Sequence, residues 1–221
     1  MSVETHWHWY KPYIYSLEWQ LQKKDDIANN IGSEALLFCE HLPCITLGKR
    51  GGVVHMEKVA KNTAIHHINR GGLATWHGPG QLVLYPIIHL HQRSLGVRQF
   101  VCLLQRSVLQ LLSLYGISAL ADSQTAGIWV KENKIASIGV EIKNGISIHG
   151  CALNVCTDLS VFNQLDPCGE TNPKFTTLQQ ECLTTEFSLH DIGLQWRNIF
   201  VQELLHESTV LSSSCSRIVN T

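Results

Sequence analysis

The chain has little charge and no excess of either sign. Of its 221 residues 16% are charged, with 17 Lys and Arg against 18 Asp and Glu, for a formal net charge of -1. Soluble domains usually carry about a quarter. The balance excludes binding to nucleic acid or to a membrane surface through overall basicity and leaves only local patches. Disorder is excluded from the other side, because 44% of residues are hydrophobic and disordered chains are apolar-poor. No apolar run approaches the ~18 residues of a membrane-spanning helix. The first ten residues lack the basic and apolar regions of a secretory signal, so the expected compartment is cytoplasmic. Eight cysteines are present but no C-x-x-C pair, which removes zinc-ribbon and thioredoxin patterns. H-E-x-x-H is also absent, so no metal is expected. Neither a P-loop nor a G-x-G-x-x-G fingerprint occurs, and no phosphate-bearing cofactor is expected. There are no repeats of 20–50 residues.

What is present describes one domain. A chain this long buries roughly 70% of its extended surface, enough for a sizeable core without disulfide staples. Loops are short and no linker stands out, so a single domain over 1–221 is expected, with 208–221 as a disordered tail. Tyr13 to Asn30 reads as a helix of mixed polarity that stops near Gly32. Ala35–Cys39 and Cys44–Leu47 read as strands around the His41-Leu42-Pro43 turn, and Ala64–Ile68 as a third. Residues 69–80 read as a glycine-rich loop, and Leu82–Ile88 as an apolar strand bent at Pro86. Phe100, Leu104, Leu111 and Tyr115 recur at helical spacing over 97–115, with Gly116 as the stop. Gly127–Val130 and Ile135–Val140 flank a Glu132-Asn133-Lys134 turn. Ile146–Val155 is a further strand, and helices follow near 176–181 and 188–206. Runs of strands with helices against them predict an α+β domain with a mixed or antiparallel sheet.

Four segments carry chemistry. The first, Arg70-Gly71-Gly72-Leu73-Ala74-Thr75-Trp76-His77-Gly78-Pro79-Gly80-Gln81, sets an Arg, a Thr and a His among glycines that allow close backbone approach to a ligand. A tight surface loop is the plainer reading of the glycines. The second, Lys134-Ile135-Ala136-Ser137-Ile138-Gly139, places a Lys at a hairpin turn, where a lysine is ordinarily just solvated. In the third, alternation predicts Ser147, His149 and Cys151 on one strand face, with Ile148, Gly150 and Ala152 on the other. The small Gly150 and Ala152 leave room for a ligand. The fourth, Asp158-Leu159-Ser160 followed by Asp166-Pro167-Cys168-Gly169, carries a cysteine among turn residues, where exposure permits reactivity. Cys39 and Cys102, in apolar surroundings, read as small buried hydrophobes.

Together these words resemble the lipoyl(octanoyl) transferases, relatives of the lipoate and biotin protein ligases. The resemblance rests on Arg70-Gly71-Gly72, Thr75 to Val83 and Tyr85; on Lys134 to Gly139; and on His149-Gly150, Ala152-Leu153-Asn154, Asp158-Leu159, Phe162 and Pro167-Cys168-Gly169. It runs in order from about Tyr13 to Leu205. It implies a fold like the catalytic domain of biotin protein ligases, related to class II aminoacyl-tRNA synthetases. It implies octanoyl transfer from octanoyl-acyl carrier protein to a lysine on lipoyl domains of 2-oxoacid dehydrogenases and of the glycine cleavage H protein. Cys168 would be the nucleophile and Lys134 its activator. Substrate contacts would fall on Arg70 to His77, on Ser137, Ile138 and Gly139, and on His149, Gly150, Cys151 and Ala152. The expected enzyme is a monomer without cofactor.

Elementary chemistry bears on these roles. A free Cys has a pKa of about 8.5, so about 3% is thiolate at pH 7. A drop of two units would raise this to about 75%, and a Lys ammonium within about 4–6 Å can cause it. Lys134 is the first choice for the base, with His77 or His149 second. Cys151 stands where an apolar residue is expected in this family and reads as a space filler, or as a redox partner of Cys168. Lys49, Arg50 and Arg70 are candidates for docking the carrier. The competing readings are an ATP-dependent lipoate or biotin ligase on the same fold and a non-catalytic carrier-binding module.

Overall fold

Apolar alternation builds a central sheet whose two faces are covered by helices of different character. The computed structural model describes residues 3–61, 63–122, 127–166, 174–182 and 186–209. Cys168 and the tail expected at 208–221, from residue 210 on, lie outside the described residues. The chain runs β1 (Glu4–Lys11), α1 (Tyr13–Ala28), β2 (Ala35–His41), β3 (Cys44–Leu47), β4 (Val53–Val54), β5 (Ala64–His67), β6 (Ala74–His77) and β7 (Gln81–Ile87). It continues through α2 (Val97–Leu114), β8 (Leu120–Asp122), β9 (Gly127–Val130), β10 (Asn133–Lys143), β11 (Ile146–Asn154), β12 (Leu165–Asp166), α3 (Leu178–Cys182) and α4 (Leu189–Thr209).

Seven strands form the large sheet in the order β1-β2-β7-β11-β10-β9-β8. The β1–β2 pair is parallel and every other pair antiparallel. A small sheet, β5-β3-β6, lies apart from it, and β4 pairs with β12. The fold is α+β with a mixed sheet, as the strand and helix pattern predicts.

Behind the large sheet, Phe100, Leu104, Val108 and Leu111 of α2 pack with Trp196 and Phe200 of α4 over Leu36, Phe38, Leu82 and Leu84. The leucine spacing that predicts α2 is the stripe that meets the sheet. In front, α1 lies over Leu37, Val83, Tyr85 and Ile87. Its buried stripe, Tyr13, Ser16, Gln20, Lys24 and Ile27, has helical spacing but polar content.

Strands β4, β8 and β12 are absent from the sequence reading, Asn133 and Lys134 belong to β10 and not to a turn, and two longer segments also differ. Residues 4–11 form an edge strand on β2, with Trp7 stacked on Phe38 at 4.9 Å. His6-Trp7-His8-Trp9 alternates: the Trp rings face the core behind, while His8 turns to Ser16 of α1. The segment 69–80 is not wholly a loop. Ala74-Thr75-Trp76-His77, its stretch free of glycine, forms β6 and pairs with β3.

Candidate active site

The front face of the large sheet opens where its strands carry small residues. Ser137 and Gly139 of β10 sit opposite Ala152 and Gly150 of β11. A Cβ at Gly139 would lie 2.9 Å from the Gly71 carbonyl oxygen, and one at Gly150 only 2.1 Å from that of Leu84. These two glycines therefore admit the Arg70 loop and β7 to the sheet. The result is a pocket of about 780 Å³ including its open mouth.

Most expected binding residues meet there. Arg70, Gly72, Leu73, Ala74, Thr75 and His77 line one wall, and Ser137, Ile138, Gly139, His149, Gly150, Cys151 and Ala152 another, with Lys134. Gly71 and Trp76 do not. The Gly71 amide donates to the Val140 carbonyl at 3.0 Å and pins the loop to β10. Trp76 alternates to the opposite side of β6 and packs with Ile45, Phe162 and Leu165. Tyr13, Arg50, Val83 and Tyr85 also line the pocket. Of these, sequence reasoning assigned only Arg50 to this function, as a docking residue. The alternation Val83, Tyr85 on the α1 side of β7 is the signal that could have found two of the others.

A proline shapes the floor. Pro86 sits within a central strand, opposite Leu36, and its Cδ approaches Gly150, so β7 offers β11 no amide there. The β7–β11 ladder stops at Leu84 and Cys151. His149 then adopts φ +60°, a conformation rare for a residue with a side chain. Its amide donates to Gln20 Oε1 at 2.8 Å instead. Ser147 Oγ donates to the Pro86 carbonyl at 2.6 Å and accepts from the Ile88 amide at 3.0 Å. This irregularity overturns the simple alternation. Cys151 packs with Ile138 and Leu153 behind the sheet, whereas His149 Nδ1 meets the Tyr13 hydroxyl in front at 3.2 Å.

The front wall is a cage of unionised rings. The Tyr13 ring lies 5.1 Å from His66, 5.4 Å from His41 and 6.1 Å from His77, parallel to the last. His41 Nε2 and the Tyr85 hydroxyl are 2.9 Å apart. Gln81 Nε2 donates to Asn154 Oδ1 at 3.0 Å, leaving its Oε1 to accept from His77 Nδ1 at 2.7 Å. Burial pulls His41 down to about 4 and His149 to about 3, the latter helped by the charges of Arg70 and Lys49. His77 is pushed well below its ordinary value, again chiefly by burial. All three are neutral at pH 7, which makes His77 and His149 poor bases. Arg70 is 7% exposed and its fork grips Thr46, with Nη2 donating to the Thr46 carbonyl at 2.8 Å and to Oγ1 at 2.9 Å. It braces the loop and is not a surface docking residue.

Lys134 is the second residue of β10, just before a bulge, and is 8% exposed. Its Nζ stands 5.1 Å from the Trp129 ring centroid. Its amide donates to the Lys174 carbonyl at 2.9 Å, and its carbonyl accepts from the Thr176 amide at 3.1 Å. Between those two residues, Phe175 stacks on Phe162 at 3.8 Å. Upstream, Leu165 and Asp166 pair with Val54 and Val53. The described residues on both sides of 167–173 are thus anchored. Cys151 is 1% exposed, and burial pushes its thiol pKa well up, which fits a filler better than a redox partner. Cys39 is buried as expected, while Cys102 is only half-buried. Among the described residues no group of three His, Cys, Asp or Glu side chains is arranged to hold a metal.

Comparison with known proteins agrees with this geometry. Residues 12–193 match the family described as the lipoyl protein ligase A/B catalytic domain. An octanoyltransferase of Desulfotalea psychrophila is 39% identical over 193 residues, 84% of this chain and 86% of that protein. One from a Shewanella species is 40% identical over 197 residues, 89% of each. Among solved structures, a lipoate-protein ligase A bound with ATP superposes with a TM-score of 0.70 at 15% identity, covering 93% of this chain and 86% of that one. P. falciparum LipL1 in complex with lipoate gives 0.69 at 10% identity; this chain spans 96% of its own length and 65% of that protein's. The chain belongs to the lipoyl(octanoyl) transferase family, built on the lipoyl protein ligase A/B catalytic domain, and is an acyltransferase.

Proposed function

We propose that this acyltransferase moves an octanoyl group from octanoyl-acyl carrier protein to a specific lysine of lipoyl domains, through a thioester on Cys168. The acceptors are the lipoyl domains of 2-oxoacid dehydrogenases and the glycine cleavage H protein. The observation that carries the reading is Lys134, buried at the pocket of small residues. Its main chain is hydrogen-bonded to Lys174 and Thr176, the six-on and eight-on neighbours of Cys168 in sequence.

In the first step the Cys168 thiolate attacks the octanoyl carbonyl, and the carrier thiolate leaves and takes a proton. One thioester replaces another, so the step is close to iso-energetic. In the second, the acceptor amine attacks the acyl-cysteine, an amide forms, Cys168 leaves as thiolate, and the amine's proton passes to a base. This step is downhill, and no ATP is needed. Splitting the transfer in two is what covalent catalysis offers. The acceptor lysine, with a pKa near 10.4, is neutral in only about one molecule in 2,500 at pH 7. A base is therefore useful, and the suppressed basicity of His77 and His149 leaves Lys134 for it. Before then, its ammonium favours the Cys168 thiolate.

The acyl chain lies across the front of β10 and β11, along the wall that Gly139, Gly150 and Ala152 form. Each buried methylene contributes about 0.8 kcal/mol, so seven give roughly 5–6 kcal/mol before costs. The reading includes a cytoplasmic monomer with no cofactor or metal, binding neither nucleic acid nor membrane. Its test is transfer from octanoyl-carrier to a lipoyl domain without ATP. Turnover under those conditions is expected. Transfer that requires ATP and free octanoate would replace it with a ligase, and carrier binding without turnover with a binding module.

A further inference from the structure

Charge is evenly matched over the whole chain but not along it. Residues 49–61 hold four of the 17 basic residues, Lys49, Arg50, Lys58 and Lys61, against one acid, Glu57. The segment begins at the pocket. Gly48 to Gly51 form a tight turn closed by the Gly51 amide on the Gly48 carbonyl at 2.9 Å. At its tip the Lys49 amide donates to the Arg70 carbonyl at 3.0 Å and the Arg50 amide to the Gly72 carbonyl at 3.2 Å. Two cationic side chains are thereby fixed to the pocket loop, and Arg50 lines the pocket. The segment then pairs with β12 through Val53 and Val54, and the His55 amide reaches the Gln164 carbonyl at 2.8 Å.

Its outer side is exposed and open for a partner. Lys58 and Lys61 are exposed, as are Val53 and Met56, at 53% and 63%. Among the described residues neither lysine nor Arg50 has an ion-pair partner. Lys49 stands 3.9 Å from Glu141 and remains 60% exposed. On the Lys134 side of the pocket Lys174 Nζ lies 2.9 Å from Glu132, and Lys131, next to Glu132 in sequence, is exposed. The 49–61 segment thus leads from Arg50 at the pocket into an exposed basic stretch that also presents two apolar side chains, Val53 and Met56.

We infer that the 49–61 segment is the docking surface of the acyl donor, an acidic carrier protein whose thioester arm carries a phosphodiester. This inference rests on the proposed transfer reaction and names the face it uses. Both partners must reach the same pocket. The acceptor brings a lysine ammonium, which a basic lip repels. The donor brings an anionic arm, for which Arg50 is an exposed cation lining the pocket, while Lys58 and Lys61 meet the carrier's acidic surface. Charges on such a rim act mainly by steering encounter, so their effect is salt-sensitive.

The test is the Lys58→Glu/Lys61→Glu double variant, which changes neither a pocket residue nor a buried one. With octanoyl-carrier as donor, KM is expected to rise about tenfold or more. With a small uncharged octanoyl thioester as donor, and for the lipoyl-domain acceptor, the kinetic constants are expected to stay as in the unmodified enzyme. Rising salt should lower kcat/KM for the carrier in the unmodified enzyme and do so less in the variant. Unchanged carrier kinetics would overturn the inference. So would a raised KM for the lipoyl domain alone, which would give the face to the acceptor. An unmodified enzyme that takes octanoyl from the small thioester but not from the carrier would remove the donor itself, and so fail the proposed reaction rather than its docking face.

Discussion

The two faces of the large sheet hold their helices by different means. Behind it, α2 and α4 bury Phe100, Leu104, Leu111, Trp196 and Phe200; the buried polar link is Trp196 Nε1 donating to Ser107 Oγ at 3.0 Å, and nearer the surface Arg106 and Gln110 of α2 bond to Glu203 of α4. In front, α1 buries Ser16, Gln20 and Lys24, and its hydrogen bonds go to His8 and to the His149 amide. The rear face is close-packed and interchangeable in kind; stability is its product. The front face satisfies an irregular β11 and leaves a pocket. A helix with a polar buried stripe marks the face where this fold does its chemistry.

That contrast predicts separable losses. Lys134→Ala should lower turnover by about 10²–10⁴-fold while the far-ultraviolet circular dichroism is retained; unimpaired octanoyl transfer would remove Lys134 from the reaction. Trp196→Ala should cost about 3–5 kcal/mol in urea unfolding, while the fraction still folded keeps its KM for the octanoyl donor. A KM raised in step with the stability loss would blur the division between the faces. Gln20→Ala leaves the His149 amide buried without its acceptor, at about 1–3 kcal/mol. Because His149 lines the pocket, the KM of the octanoyl donor should rise as well. Equal effects of Gln20→Ala and a neutral surface substitution would show that the bulge does not depend on α1.

The smallest effect near neutrality is on pH dependence. His41 and His149 are held at about 4 and about 3 in the folded chain, below an ordinary 6.5. The unfolded chain therefore takes up protons first as pH falls. Stability from these groups is complete above about 6.5 and is lost progressively toward 4 and 3. Unfolding free energies that stay level from pH 6.5 to 4 would contradict the neutral-cage description.

How much was legible follows the same division. The leucines of α2 recur at the spacing that packs them, so this helix and its glycine stop could be read directly. The polar stripe of α1 has the same spacing, but nothing in Ser16, Gln20 or Lys24 marks them as buried until the sheet is in place. β1 was missed although His6-Trp7-His8-Trp9 alternates, because each Trp's partner comes from far along the chain. β6 was hidden by the glycines around it. Most pocket residues were legible as words, and their meeting was not: Arg70, Lys134 and Gly150 converge only through the strand order β7-β11-β10. His149 was given the wrong face because Pro86, in another strand, breaks the alternation. Tyr13, Val83 and Tyr85 were not assigned to the pocket, although Val83 and Tyr85 belong to the words that carry the resemblance, since an apolar or aromatic residue facing a pocket looks the same in sequence as one facing a core.

The central claim is the acyl-cysteine. Intact mass measured after mixing the protein with octanoyl-loaded acyl carrier protein, without ATP, addresses it directly. One added octanoyl group is expected, released by hydroxylamine and absent from Cys168→Ala, which also fails to transfer. Full transfer by Cys168→Ala, or an equal adduct on it, would contradict the account.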